Sequence, residues 1–187
     1  MIYEYSINDI PVKTGDILCT HDGGAPILEG EFWRLVGNLI PGEVDHVAVY
    51  LGPEGRCIEA GPKGVNLYEV KNKTWDAVGM RDQRGPVVDT LYGVACPVEG
   101  RGLAENKKAE IRESVARYCL AQTGKPYNLN FPNSKTEDTF YCSHLVYLAY
   151  LKNGIDLNTD LGVPHIPGMH SVIFPQELWS GCVNKKA

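Results

Sequence analysis

Residues 138–151 read Asp138-Thr139-Phe140-Tyr141-Cys142-Ser143-His144-Leu145-Val146-Tyr147-Leu148-Ala149-Tyr150-Leu151. From Leu145 onward every residue is apolar or aromatic, and Gly154 follows as a helix C-cap candidate. The stretch therefore predicts a buried helix with Cys142 in its first turn. Asp138 and Thr139, just upstream, are the residue types that cap a helix start. A helix N-terminus carries roughly half a positive charge, which favours a thiolate over a thiol. A cysteine so placed is a candidate nucleophile once a base reaches it.

The chain offers such a base about a hundred residues earlier, in Asp45-His46-Val47-Ala48-Val49-Tyr50-Leu51-Gly52. Val44–Leu51 is β-branched and alternating, which predicts a strand. Gly52-Pro53-Glu54-Gly55 is a turn, and Arg56–Ala60 returns as the partner strand. A four-residue turn pairs Leu51 with Arg56. Val47, Val49, Leu51, Ile58 and Ala60 then share one face, the expected core face. His46, Ala48, Tyr50, Cys57 and Glu59 occupy the other. Glu59 lies opposite Ala48 and diagonal to His46, where backbones are roughly 7–8 Å apart and long side chains meet. Glu59 is thus placed to hold one imidazole nitrogen while the other faces a nucleophile, the arrangement of acyl-transfer enzymes.

Composition narrows the remaining classes. The chain has 187 residues, 43% of them hydrophobic, enough for the core of one domain spanning 1–187. A net charge of −5 leaves no basic excess to offset phosphates, so no nucleic-acid partner is expected. No apolar run is long enough for a membrane span. The first residues lack the basic and apolar regions of a signal peptide, which gives a cytoplasmic expectation. The six cysteines are scattered, without a CxxC pair, and read as free thiols.

Along the rest of the chain, Asp16–Thr20, Val65–Val70 and Leu91–Val98 read as further strands. Glu29–Leu39 is a short helical candidate. Ala104–Gln122 is the clearest amphipathic helix, with Ile111, Val115, Tyr118 and Cys119 on one face and Gly124 as its stop. The tail from Asn153 reads as irregular. Strands and helices are segregated rather than alternating, which predicts an α+β fold with a mostly antiparallel sheet packed against the two long helices.

With these segments in view, the chain resembles the NlpC/P60 cysteine peptidases. Asp45–Gly52 with Cys57-Ile58-Glu59-Ala60 is similar to that family's His-bearing hairpin. Tyr141-Cys142-Ser143-His144-Leu145-Val146 is similar to its nucleophile motif, Asp-Cys-Ser-Gly-Leu-Val. Gly124-Lys125-Pro126-Tyr127 resembles the Gly-x-Pro-Tyr segment before the family's cysteine. Here His46 precedes Cys142, the reverse of the ordinary order. That order, and Gly15-Asp16-Ile17-Leu18 as an opening strand, resemble the circularly permuted YiiX/YaeF-like branch related to lecithin retinol acyltransferase. The departures are Tyr141 for Asp, His144 for Gly and Glu59 for the commoner His.

The resemblance implies a permuted papain-like fold and a cysteine peptidase or amidase that needs no cofactor or metal. Cys142 would be the nucleophile, His46 the base and Glu59 the orienting third residue. Tyr127 and Tyr50 are the candidate substrate-binding or oxyanion side chains, and the substrate is a small peptide or amide, cell-wall-type peptides being one class. Two other functions fit the same residues: transfer or hydrolysis of lipid acyl groups, and binding without turnover. Cys19-x-His21 and Cys142-x-His144 could form halves of a zinc site, but their spacing matches no usual finger. His144 reads as structural, and His165 and His170 as pocket-wall residues at most.

Overall fold

The structure, a computed structural model, describes residues 1–22, 41–164 and 171–187. The helical candidate Glu29–Leu39 and the histidines His165 and His170 lie outside the described residues.

Among the described residues, eight strands form two sheets. β1 (Glu4–Ile7) and β2 (Ile10–Lys13) pair as an N-terminal hairpin that the sequence reading missed. The main sheet contains β3 (Ile17–Asp22), β4 (His46–Tyr50), β5 (Arg56–Gly61), β6 (Gly64–Glu69), β7 (Asp89–Ala95) and β8 (Lys185–Lys186). Its order is β6-β5-β4-β3-β7-β8, antiparallel throughout. The described residues also form the α-helices α1 (Arg81–Arg84), α2 (Glu105–Ala121), α3 (Cys142–Leu151) and α4 (Pro175–Ser180). The tail is therefore less irregular than expected, since it supplies α4 and the edge strand β8.

The main sheet is buried on both faces, so its apolar residues do more than line a single core face. Val47, Val49, Leu51, Ile58 and Ala60 pack with Ile111, Val115 and Cys119 of α2 and with Leu145, Val146 and Ala149 of α3. The opposite face carries a second cluster in which Ala48, Tyr50 and Cys57 meet Ile7, Val12, Tyr68 and Trp75.

The β4–β5 hairpin keeps the expected register, Val49 opposite Ile58 and Tyr50 opposite Cys57. The expectation of continuous pairing fails beyond that point. β5 stays bonded to β6 as far as Gly61↔Gly64, and β4 stays bonded to β3 as far as Thr20↔His46. Each strand keeps its outer neighbour and loses its inner one, so the sheet opens between β4 and β5. The start of α3 packs at this opening. On the other side of β4, a bulge at Tyr92 of β7 sits beside Thr20, the residue paired with His46.

α3 is anchored at both ends. Its N-cap is Tyr141, in extended backbone, and not the Asp138 or Thr139 expected from capping preference. The Tyr141 hydroxyl accepts the Ile173 N–H at 3.0 Å, and the Ser143 hydroxyl donates to the Ile173 carbonyl at 2.7 Å. Tertiary contact thus replaces local capping. Near the other end, the Tyr150 hydroxyl donates to the Gly15 carbonyl, and Gly154 takes the positive φ of +76° that stops the helix. Gly64 also has positive φ, and a Cβ there would lie 2.4 Å from the Lys125 carbonyl oxygen. That close approach lets Val65 exchange hydrogen bonds with Gly124 and Lys125, which fixes the Gly124–Tyr127 segment against the sheet edge.

α2 is tied to the start of β3 by a buried ion pair. The Arg112 guanidinium donates to Asp16 Oδ1 at 2.6 Å and to the Thr14 carbonyl at 2.9 Å, while Asp16 Oδ2 accepts the Lys13 N–H. Removing one partner of such a pair leaves the other charge buried and unmatched. We predict that Arg112→Leu lowers unfolding stability by about 3–5 kcal/mol. Urea denaturation checks this, and a loss under about 1 kcal/mol, the range of exposed pairs, would contradict it.

Candidate active site

The opening between β4 and β5 brings together side chains from three parts of the chain. Cys142 is the first residue of α3, where the first-turn N–H groups have no helical acceptor. It is 4% exposed. Its sulfur lies close enough to the His46 ring for its charge to favour the protonated imidazole. His46 Nε2 lies 2.8 Å from Glu59 Oε2, which leaves Nδ1 for the sulfur. The structure thus brings His46 and Glu59 into hydrogen-bond contact beside Cys142. The contact forms where the strands have separated, and not across a paired ladder.

Glu59 is fully buried and has a second partner that the sequence reading missed. Arg84, the last residue of α1 and itself fully buried, donates from Nε to both Glu59 oxygens (3.0 and 3.1 Å) and from Nη2 to Oε2 (2.8 Å). On its other side the same guanidinium holds Asp89, with Nη1 to Oδ1 at 2.7 Å and Nη2 to Oδ2 at 2.9 Å. The Thr20 hydroxyl donates to Asp89 Oδ2, and Trp75 Nε1 donates to the Asp89 carbonyl. The rings of Tyr68 and Trp75 flank the guanidinium at 4.9 and 5.0 Å. Arg81-Asp82-Gln83-Arg84-Gly85-Pro86 reads as a solvated turn, and no periodicity marks Arg84 as the interior residue.

These contacts set the charges. Burial opposes ionisation of Glu59, but the Arg84 charge and the His46 hydrogen bond outweigh it and hold the carboxyl below its ordinary value. Burial likewise opposes charge on Asp89, and Arg84 brings it down to about 2. Burial would pull His46 down. The charge and hydrogen bond of Cys142, followed by those of Glu59, instead hold the imidazole well above its ordinary value.

The tyrosines separate. Tyr127 lies beside Cys142: burial first, then the Cys142 charge, push its phenol well above the ordinary range. Its backbone is fixed by hydrogen bonds from Phe140 to the Pro126 carbonyl and from Asn128 to the Phe140 carbonyl. Tyr50 does not belong to the site. It is buried under the N-terminal hairpin, its ring stacked on Tyr5 at 6.1 Å. Four residues of extended chain put it about 13 Å from His46 along β4. His144 lies in the core between the rings of Phe140 and Tyr141, as a structural histidine, and burial lowers its pKa. Among the described residues no three His, Cys, Asp or Glu side chains are grouped to hold a metal, and no helix is long and apolar enough to cross a membrane.

The family model described as permuted papain-like amidase enzyme, YaeF/YiiX, C92 family, matches residues 20–163. That is most of the chain, and the chain belongs to this family. No curated protein and no solved structure matches it. The protein is accordingly an enzyme of the papain-like amidase class with a permuted α+β fold, as its reversed motif order implied.

Two outcomes follow from this geometry. Limiting iodoacetamide at about pH 7 should label Cys142 before the other five cysteines. Burial pushes Cys96 to about 11 and Cys119 and Cys182 to about 12, and raises Cys19 and Cys57 as well. Peptide mapping reads the order, and earlier labelling of another cysteine would contradict it. Stability should also fall at both pH extremes. Glu59 and Asp89 are held below their unfolded values, so their contribution is complete above about pH 4 and is lost on acidification, for Asp89 toward about 2. His46 is held above its unfolded value, so its contribution is complete below about pH 6.5 and is lost on the alkaline side. Urea midpoints against pH test both limbs; an alkaline fall that persists unchanged in His46→Ala would remove His46 from the account.

Proposed function

We propose that this amidase cleaves its substrate through Cys142, His46 and Glu59, and that the substrate is a small peptide amide, with cell-wall-type peptides as one class. The observation that carries the reading is His46, hydrogen-bonded to the buried Glu59 at 2.8 Å and within electrostatic reach of Cys142 at the start of α3. His46 takes the Cys142 proton, and the sulfur attacks the amide carbonyl carbon. The carbonyl oxygen becomes an oxyanion beside the Cys142 N–H at the helix start, with the Tyr127 hydroxyl as the second donor. As the carbon–nitrogen bond breaks, the imidazolium gives its proton to the leaving amine and a thioester remains. His46 then takes a proton from water, which attacks the thioester and frees the acid. Glu59 stays ionised throughout, orients the ring and balances its charge.

Transfer of the same acyl group to another acceptor, or hydrolysis of a thioester, would use the same first intermediate. A panel of short peptide amides with matching thioesters separates these chemistries by their products. On the best amide, Cys142→Ala and His46→Ala should each lower kcat/KM by at least about a thousandfold. Glu59→Gln should cost about ten- to a hundredfold, because the amide carbonyl still holds the ring but brings no charge. Adding Glu59→Gln to Cys142→Ala should cost little more than Cys142→Ala alone. Wild-type turnover by folded Cys142→Ala would refute the proposal, and wild-type turnover by folded Glu59→Gln would reduce the triad to a dyad.

A further inference from the structure

Behind Glu59 the chain places one cation and a second anion. Arg84 bridges Glu59 and Asp89 with hydrogen bonds of 2.7–3.1 Å, and none of the three side chains meets appreciable solvent. A guanidinium bound only to Glu59 would cancel its charge and leave nothing net to attract an imidazolium. With Asp89 on its far side, the trio carries one net negative charge, which a protonated His46 neutralises. The connection back to His46 is short: Thr20, whose hydroxyl donates to Asp89, is the cross-strand partner of His46.

We propose that Arg84 and Asp89 are positioning residues of the Cys142 site: Arg84 fixes Glu59 against His46, and Asp89 supplies the extra negative charge that keeps His46 protonated. This rests on the reading of Cys142, His46 and Glu59 as the reacting set. The groups facing His46 support it. Glu59 hydrogen-bonds the ring at 2.8 Å, Cys142 lies within its electrostatic reach, and the electrostatic pull of His46 extends to Asp89 and helps to hold that carboxyl low. Tyr127 faces Cys142 and Glu59, while Tyr68 and Cys57 face the Glu59–Arg84 pair; burial keeps all three neutral. Arg84 cannot trade places with lysine, because one ammonium cannot donate in-plane to two carboxylates on opposite sides.

The test is titration of His46 by its ring carbon-13 NMR shift, assigned with His46→Ala. The background is Cys142→Ser, so that the thiol makes no contribution. Asp89→Asn should lower the proton affinity of His46 by about tenfold, one pKa unit, while Asp89→Glu retains it. Arg84→Lys should broaden the His46 ring signals as Glu59 loses its fixed orientation. A His46 titration unmoved by folded Asp89→Asn would overturn the inference. If Asp89→Asn does not fold, the Asp89 carboxyl carbon in the unsubstituted protein decides. A coupled carboxylate shows a second inflection at the His46 midpoint, and a flat trace through that midpoint would overturn the inference. Failure of the underlying triad would look different: Cys142→Ser would leave His46 unmoved from the unsubstituted protein, whatever Asp89 does.

Discussion

A fully buried guanidinium organises this protein. Arg84 has no water to solvate it, so the fold must give it anions, and it does so from two distant strands: Glu59 on β5 and Asp89 at the start of β7. Holding an unpaired charge in such surroundings would cost several kcal/mol. The rings of Tyr68 and Trp75, set edge to face against each other, pack against the guanidinium and leave its donors for the carboxylates. Once Arg84 is seated, Glu59 has little freedom, and its remaining hydrogen-bonding direction points at His46.

The sheet converts that constraint into the geometry of the candidate site. β4 and β5 pair near their turn and part beyond Val49 and Ile58, each still held by its outer neighbour. His46 and Glu59 therefore meet at an opening, where a third element can reach the ring. α3 fills that place with its N-terminus, held by Tyr141 and Ser143 at one end and Tyr150 at the other. Permutation of the chain leaves this convergence unchanged, because it depends on which strand neighbours which and not on the order of synthesis.

The motifs were legible because each combines local geometry with chemistry. The apolar run after Cys142 announces a buried helix, and the Leu51–Arg56 turn sets the register that carries Glu59 toward His46. Tyr50 was misread because strand alternation gives a face but not a distance along it. It shares a face with His46 yet sits in the second core cluster. The N-cap was misread because Tyr141 is held by Ile173, a contact with no local signature. Arg84 and Asp89 were not legible at all. Their partners are fixed by tertiary structure, and in sequence a charged residue before Gly85-Pro86 looks like any exposed turn.

The central claim is that Cys142, His46 and Glu59 form one coupled unit. Its most direct measurement is the rate of Cys142 alkylation as a function of pH, in the unsubstituted protein and in folded His46→Ala. Coupling predicts a profile in the unsubstituted protein with an inflection that belongs to His46, and a profile in His46→Ala with a single rise from the thiol alone. Superimposable profiles would show that the imidazole does not govern the sulfur, and would contradict the account.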